Sequence, residues 1–275
     1  HYALVPDRWE LTLGARYFED ERTEDEGSLT PTALALIAEG IAVNRSATFD
    51  KVTGRINLAY TPDENSLYYI NIAQGFRSGT AMAGASLLGG VAPLETDPED
   101  LISYEIGTKL ELADATVTLD LAAYYWVWDD IQTALVDFAP NGTPASYIDN
   151  VGEATAYGLD FGLNYRGIDG LVLSLSGNVN QTEYDDSLPS AGIEKGDTVQ
   201  LSADYSVTAS ASYQWPLTAG LTGSAWVAYS IVDGKPEYAT FLPPAESDEI
   251  KSLTVRLGVV TDQWSVYLTG ENLLD

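Results

Sequence analysis

The 275-residue chain contains no cysteine, which excludes a disulfide framework, thiolate zinc sites and cysteine nucleophiles. Its single histidine is His1, so a His-based triad or a multi-histidine metal site has no residues to draw on. Basic residues are scarce: 13 Lys and Arg stand against 41 Asp and Glu, a net charge of −28. A phosphate backbone needs a basic footprint, so nucleic acid is not an expected partner. No apolar run reaches the roughly 18 residues of a transmembrane helix, and the longest candidate, 33–43, is broken by Glu39 and Gly40. A basic stretch followed by an apolar one, the mark of a secretory leader, does not occur at the start; the expectation is that the protein begins upstream of His1. The signatures G-x-S-x-G, P-loop and H-E-x-x-H are missing, so neither catalysis nor a cofactor is expected.

What the chain has is aromatic residues and alternation. There are 17 tyrosines and 6 tryptophans against one methionine, a skew toward side chains with an apolar body and a polar tip. Apolar and polar residues alternate over about ten residues at a time, the period of a strand and not of a helix. In 206–215, Val207, Ala209, Ala211, Tyr213 and Trp215 take one face, and Ser206, Thr208, Ser210, Ser212 and Gln214 take the other. In 171–180, Leu171, Leu173, Leu175 and Val179 oppose Ser174, Ser176, Asn178 and Asn180. Eleven strands are read in this way, at 9–17, 53–60, 67–76, 102–112, 116–128, 154–165, 171–181, 205–215, 221–230, 252–260 and 264–272.

Short and long connections alternate between these strands. The short ones, such as Thr61 to Asn65, Ala113-Asp114, Gly167 to Gly170 and Thr261-Asp262, have turn composition. The long ones cover roughly 18–52, 77–101, 129–153, 182–204 and 231–251 and hold much of the acid and proline. In an up-and-down meander this puts all tight turns at one end and all long loops at the other, the arrangement of an outer-membrane β-barrel. A soluble sandwich also alternates, but three features favour the membrane. The strands approach the 9–11 residues that cross a bilayer. Their apolar faces end in aromatics, among them Trp9, Tyr17, Tyr60, Tyr68, Tyr165, Tyr205, Trp215, Tyr229 and Trp264, as interfacial girdles require. Their charges, including Glu10, Arg16, Arg55, Glu105, Lys109, Asp120, Asp160, Arg256 and Glu271, fall on the polar face.

Four segments carry a more specific signal. Leu67 to Gly79 (LYYINIAQGFRSG) ends in G-F-R-S-G, Ser103 to Lys109 reads SYEIGTK, Asn150 to Asp160 reads NVGEATAYGLD, and Glu271 to Asp275 reads ENLLD. In this order and at hairpin spacing they resemble strands of TonB-dependent outer-membrane receptors, over roughly 52–275. The resemblance implies an all-β, antiparallel up-and-down transmembrane β-barrel, of which this chain is a fragment of about eleven strands, strands eleven to twenty-one of the family's 22-strand barrel. The family's plug domain and final strand are not found in residues 1–275. The implied function is TonB-dependent uptake of a scarce ligand, typically a ferric siderophore and sometimes haem, a cobalamin or a glycan. The implied partners are the TonB–ExbB–ExbD system, acting through the plug, and outer-membrane lipid and lipopolysaccharide. A passive porin-type channel and a soluble or surface adhesin module stand as alternatives; an upstream plug domain separates the first, and folding without detergent the second.

Candidate ligand contacts are few. Arg77 lies at the outer end of its strand and either meets an anionic ligand such as a ferric chelate or pairs with a loop acid. Tyr124, Trp126 and Trp128 share the polar face of 116–128 near its outer end. Facing the lumen, they either stack on a planar ligand or pack against a plug or an infolded loop; Trp226 faces the same way. The acidic loop runs suit Ca²⁺ or lipopolysaccharide bridging, but no EF-hand-like spacing occurs and solvated loop charge accounts for them. Arg16, Arg55, Lys109 and Arg256 are expected to form lumenal ion pairs and hydrogen-bond networks with Asp120, Asp160 and their neighbours.

Overall fold

The computed structural model describes all residues except 1, 6–7, 28–29, 89, 141, 143, 239–242 and 275; Asp275, the last residue of the ENLLD segment, thus lies outside the described residues. One antiparallel sheet of twelve strands runs in strict chain order. Its strands are β1 (Tyr2–Val5), β2 (Trp9–Asp25), β3 (Asn44–Asp63), β4 (Ser66–Arg77), β5 (Glu99–Leu112) and β6 (Val117–Asp129). They continue as β7 (Ala154–Ile168), β8 (Leu171–Tyr184), β9 (Tyr205–Thr218), β10 (Leu221–Val232), β11 (Ile250–Val260) and β12 (Ser265–Gly270). The eleven expected strands are all present, and the short β1 adds a further one at the first edge. The sheet is not closed: β1 and β12 are its two edges.

Tight turns join the strands at one end, as expected. The β5–β6 turn is unusual, since Ala113, Asp114 and Ala115 all have left-handed backbone (φ 51°, 56° and 61°) without a glycine. The connection expected over 18–52 is mostly strand: β2 and β3 stay paired from Trp9↔Tyr60 out to Asp25↔Asn44, and a short helix, Pro31–Ala38, sits in the remaining tip. Along the outer half of β2 both faces are largely solvated, so its sequence need not alternate, and Phe18 to Asp25 (FEDERTED) does not; on the outer half of β3, Ala47 and Phe49 are buried against Ala81.

Register assigns every strand residue to a face. Across β5, β6 and β7 the outward rows read Ile106–Ala123–Leu159, Thr108–Leu121–Phe161 and Leu110–Leu119–Leu163. The one hydroxyl in these rows, Thr108 Oγ1, donates to the Leu67 carbonyl at 3.0 Å, which spares lipid an unsatisfied polar group. Among the described residues no second layer covers this face: Leu13 is 65% exposed, Leu257 51% and Leu268 76%. A soluble sandwich would bury such side chains, each worth about 1.5–3 kcal/mol. Aromatic rows bound the band. At the tight-turn end Trp9 stacks on Tyr60 with centroids 4.4 Å apart, and Tyr60 on Tyr68 at 6.5 Å. At the other end Tyr104, Tyr125 and Tyr157 are direct cross-strand partners. Tyr157 and Tyr165 on β7 stand eight residues apart, about 26 Å along the strand at ~3.3 Å per residue, which on a tilted strand matches an apolar band.

The inward face is polar and hydrogen-bonded. Asn178 Nδ2 donates to Asp160 Oδ1 (2.6 Å), Arg55 Nε to Asn71 Oδ1 (2.9 Å) and Ser174 Oγ to Asn164 Oδ1 (2.7 Å). Lys109 faces Asp120 at 3.9 Å. Arg256 lies over the Trp226 and Tyr267 rings at 5.5 and 4.9 Å, and Arg16 over Phe18 at 5.6 Å, so two of the four expected network cations use aromatic faces. The principal buried cluster lies outside the band, at the long-loop end. It joins Leu36, Met82, Leu87, Ile131, Leu135, Tyr147, Leu188 and Ile193 from the loops to Ala154 and Tyr184 from strand ends. The long connections are therefore a packed cap, with ordinary hydrophobic burial in water.

Candidate functional site

Beneath this cap, the inward face of β6 carries Tyr124, Trp126 and Trp128, as their parity predicts. Tyr124 is nearly buried, at 9% exposure. Its hydroxyl accepts from Asn178 Nδ2 at 2.9 Å, and its ring stacks on Trp126 with centroids 4.7 Å apart at 25°. The cross-strand neighbour Gly158 makes this packing fit: a β-carbon there would stand 2.5 Å from the Tyr124 hydroxyl and 2.6 Å from the Val179 carbonyl oxygen. Gly158→Ala is therefore expected to displace the Tyr124–Trp126 pair and cost about 1–3 kcal/mol as overpacking. Tryptophan fluorescence and the urea midpoint of the full receptor check this; an unchanged spectrum and midpoint would refute it.

Trp126 and Trp128 line a cleft of about 350 Å³ with Leu101, Ala154, Ala156 and residues 199–202. Trp126 is 37% exposed, while Trp128 packs against the buried cluster of the cap. Residues 199–202 carried no motif and were not among the sequence candidates. Leu201 has left-handed backbone (φ 62°) and is 65% exposed, a conformation that costs a non-glycine residue about 1–3 kcal/mol. Its N–H donates to the Pro236 carbonyl at 2.8 Å, which ties it to the next loop.

Arg77 is held elsewhere. It faces Glu99 across β4 and β5, and its Nη2 donates to Glu99 Oε2 at 2.6 Å and to the Gln132 carbonyl at 3.1 Å. Glu99 is buried, 5% exposed, and also accepts the Gln132 N–H at 2.7 Å. Gln132 Nε2 donates to the Ser78 and Asp97 carbonyls at 3.0 Å each. Asn150 Nδ2 donates to the Asp97 and Asp130 carbonyls at 2.9 Å each. Gln132 and Asn150 are the two ends of a hairpin, Gln132–Phe138 with Pro144–Asn150. The G-F-R-S-G segment and the first residue of N-V-G-E-A thus meet in one polar knot that ties this hairpin to the barrel wall. None of Glu99, Gln132 or Asn150 was a sequence candidate.

The electrostatics of this end are one-sided. The five long connections hold 28 of the 41 acids and 7 of the 13 bases. Lys51 pairs with Asp100, Arg22 with Asp20, Arg77 with Glu99 and Lys251 with Glu249. Glu249 is held below the usual carboxylate range by the hydrogen bond from Lys251 and then by that from Tyr205. In the cap, burial raises the Tyr147 and Tyr238 phenols above their ordinary value. Among the described residues no cluster of three or more His, Asp or Glu could hold a metal ion.

Comparison with known proteins gives concordant matches. The family model described as TonB-dependent receptor-like β-barrel matches residues 2–273. A pesticin receptor of Yersinia enterocolitica is 28% identical over 184 residues, 66% of this chain and 24% of that protein. The ferric yersiniabactin uptake receptor FyuA from Yersinia pestis superposes with a TM-score of 0.73 at 22% identity, over 98% of this chain and 39% of that one. The ferric-catecholate import receptor Fiu from E. coli superposes with a TM-score of 0.67 at 17% identity, over 99% and 39%. The chain spans about a quarter of the curated relatives it matches and two fifths of these structures.

Proposed function

The chain belongs to the TonB-dependent receptor β-barrel family, and we propose from that premise that it is part of the wall of a bacterial outer-membrane receptor that imports a ferric siderophore. One observation carries the reading. A single sheet presents an uncharged, uncovered apolar face between two aromatic rows, and a hydrogen-bonded polar face on its other side. That surface suits acyl chains outside and a filled, hydrated interior. The barrel is the family's 22-strand kind, its interior is occupied by a plug, and TonB–ExbB–ExbD acts on that plug. The barrel wall itself performs no covalent chemistry. Tyr124, Trp126 and Trp128 belong to the ligand vestibule, with Trp126 the most accessible of the three. Arg77 serves the vestibule by fixing the 132–150 hairpin through Glu99. Lipopolysaccharide surrounds the wall beyond the Tyr104–Tyr125–Tyr157 row.

The test is genetic. Deleting the gene that encodes this chain from its own bacterium is expected to abolish uptake of radio-iron from at least one class of ferric chelate under iron limitation. Replacing the gene restores uptake, and removing TonB cancels the restoration. Unchanged uptake from hydroxamate, catecholate and phenolate chelates alike would refute the proposal.

A further inference from the structure

We propose that the part of the vestibule built by this chain receives a metal chelate that is net neutral or cationic and carries an aromatic ring, and that it turns away polyanionic chelates. This deepens the uptake reading and rests on it. Two observations meet at one place. The first is the cleft itself, whose lining is dominated by Trp126, Trp128, Leu101, Ala156, Val199 and Leu201 and includes no charged side chain. An apolar cleft of about 350 Å³ falls in the small-molecule range of ~300–1,000 Å³, and the accessible part of Trp126 offers a face for stacking.

The second observation is the charge around the cleft. A trianionic chelate needs unpaired cations, and the outer end of this chain commits its own. Arg77, Lys51, Arg22 and Lys251 each pair with a carboxylate. Arg45 donates to the Ala42 and Met82 carbonyls at 2.6 and 2.8 Å. The two other basic residues of the long connections, Lys195 and Lys235, follow Glu194 and precede Glu237 in segments that also carry Asp185, Asp186, Asp197 and Asp233. Those connections hold 21 of the chain's 28 net negative charges. A mouth of one sign concentrates ligands of opposite charge, leaves neutral ones unaffected and repels its own sign. The apolar lining then selects, among admitted chelates, those with a ring to bury.

Three ferric complexes separate charge from ring: the tris complexes of N-phenylbenzohydroxamate (neutral, with rings), N-methylacetohydroxamate (neutral, without rings) and catecholate (trianionic, with rings). Binding to the full receptor in detergent is read by tryptophan quenching. The ring-bearing neutral complex is expected to bind about tenfold more tightly than either other, a 1.4 kcal/mol difference. Raising salt should narrow the gap to the catecholate by screening. Trp126→Ala is expected to bring the ring-bearing complex down to the ring-free one, and Leu201→Arg to raise catecholate affinity selectively. Catecholate binding as tight as the ring-bearing hydroxamate, or a ratio untouched by Trp126→Ala, overturns the inference while leaving gene-dependent iron uptake intact. Loss of the uptake reading itself shows separately, as uptake indifferent to the gene, and sinks both.

Discussion

Leu121→Arg is expected to lower the folding equilibrium constant of the full receptor in lipid vesicles by a factor of about 30 to 1,000, because arginine on the lipid face at mid-bilayer costs ~2–4 kcal/mol. Leu121 stands midway between Tyr125 and Val117 on β6, with Thr108 and Phe161 as its cross-strand neighbours. The comparison that gives the result meaning is Val127→Arg. Val127 shares the same face but lies beyond Tyr125, where the cost falls to about 0–1 kcal/mol. Depth is the only large difference between the two sites. Urea titration with heat-modifiable gel migration measures both. Equal losses at 121 and 127 would mean that this face meets protein or water and would refute the lipid assignment.

The same asymmetry of solvents explains which strands were legible in the sequence. Between the aromatic rows one face needs oil and the other water, so every position is constrained and 206–215 can be read at sight. Outside them most positions meet water on both faces, and the exceptions, such as Ala47 and Phe49 against Ala81, are covered by residues distant in sequence. The outer halves of β2 and β3 pair through Asp25↔Asn44, yet Phe18 to Asp25 shows no alternation, and the alternation of Ala47 and Phe49 with polar neighbours in 46–50 is too short to have extended the strands. The cap was equally hidden. Its core is built from single residues far apart in sequence, Leu36, Met82, Leu135 and Leu188 among them. None belongs to a periodic run long enough to be noticed. The turn at Ala113-Asp114 was legible between two alternating runs, but its left-handed backbone over Ala113, Asp114 and Ala115 has no glycine or asparagine to announce it.

For the site, parity was enough to bring Tyr124, Trp126 and Trp128 to the inward face, because a strand's period of two leaves no choice once one face is known. Their separate fates were not legible. Tyr124 is covered because Gly158 lies across from it, Trp128 because the cap packs on it, and Trp126 stays accessible. The knot around Glu99 left no signature for a different reason. Its bonds span 20 to 55 residues and run largely from side chains to backbone carbonyls and N–H groups. Any residue supplies a carbonyl, so residue type records only half of such a pair.

That knot yields a second large effect. Glu99→Ala is expected to free the 132–150 hairpin without unfolding the wall. The substitution removes the acceptor of the Arg77 guanidinium and of the Gln132 N–H. A hydrogen bond to a charged, buried partner contributes about 1.5–3 kcal/mol. Arg77 is 55% exposed, so its ion pair adds little beyond that. Hydrogen exchange in 132–150 should quicken about ten- to hundredfold, while the centres of β6 and β7 keep their protection as a separate opening unit. Glu99→Gln keeps an acceptor oxygen for Gln132 and loses the charge, so it should fall between wild type and alanine. The consequence extends to the vestibule. Leu135 and Tyr147 of the hairpin pack in the same cluster as Tyr184, Leu188 and Val199, and Val199 lines the Trp126 cleft. Glu99→Ala should therefore weaken binding of a ring-bearing chelate although it changes no cleft residue. Faster exchange spread evenly over the whole barrel, or no change in 132–150, would show that the hairpin is held by its apolar contacts alone.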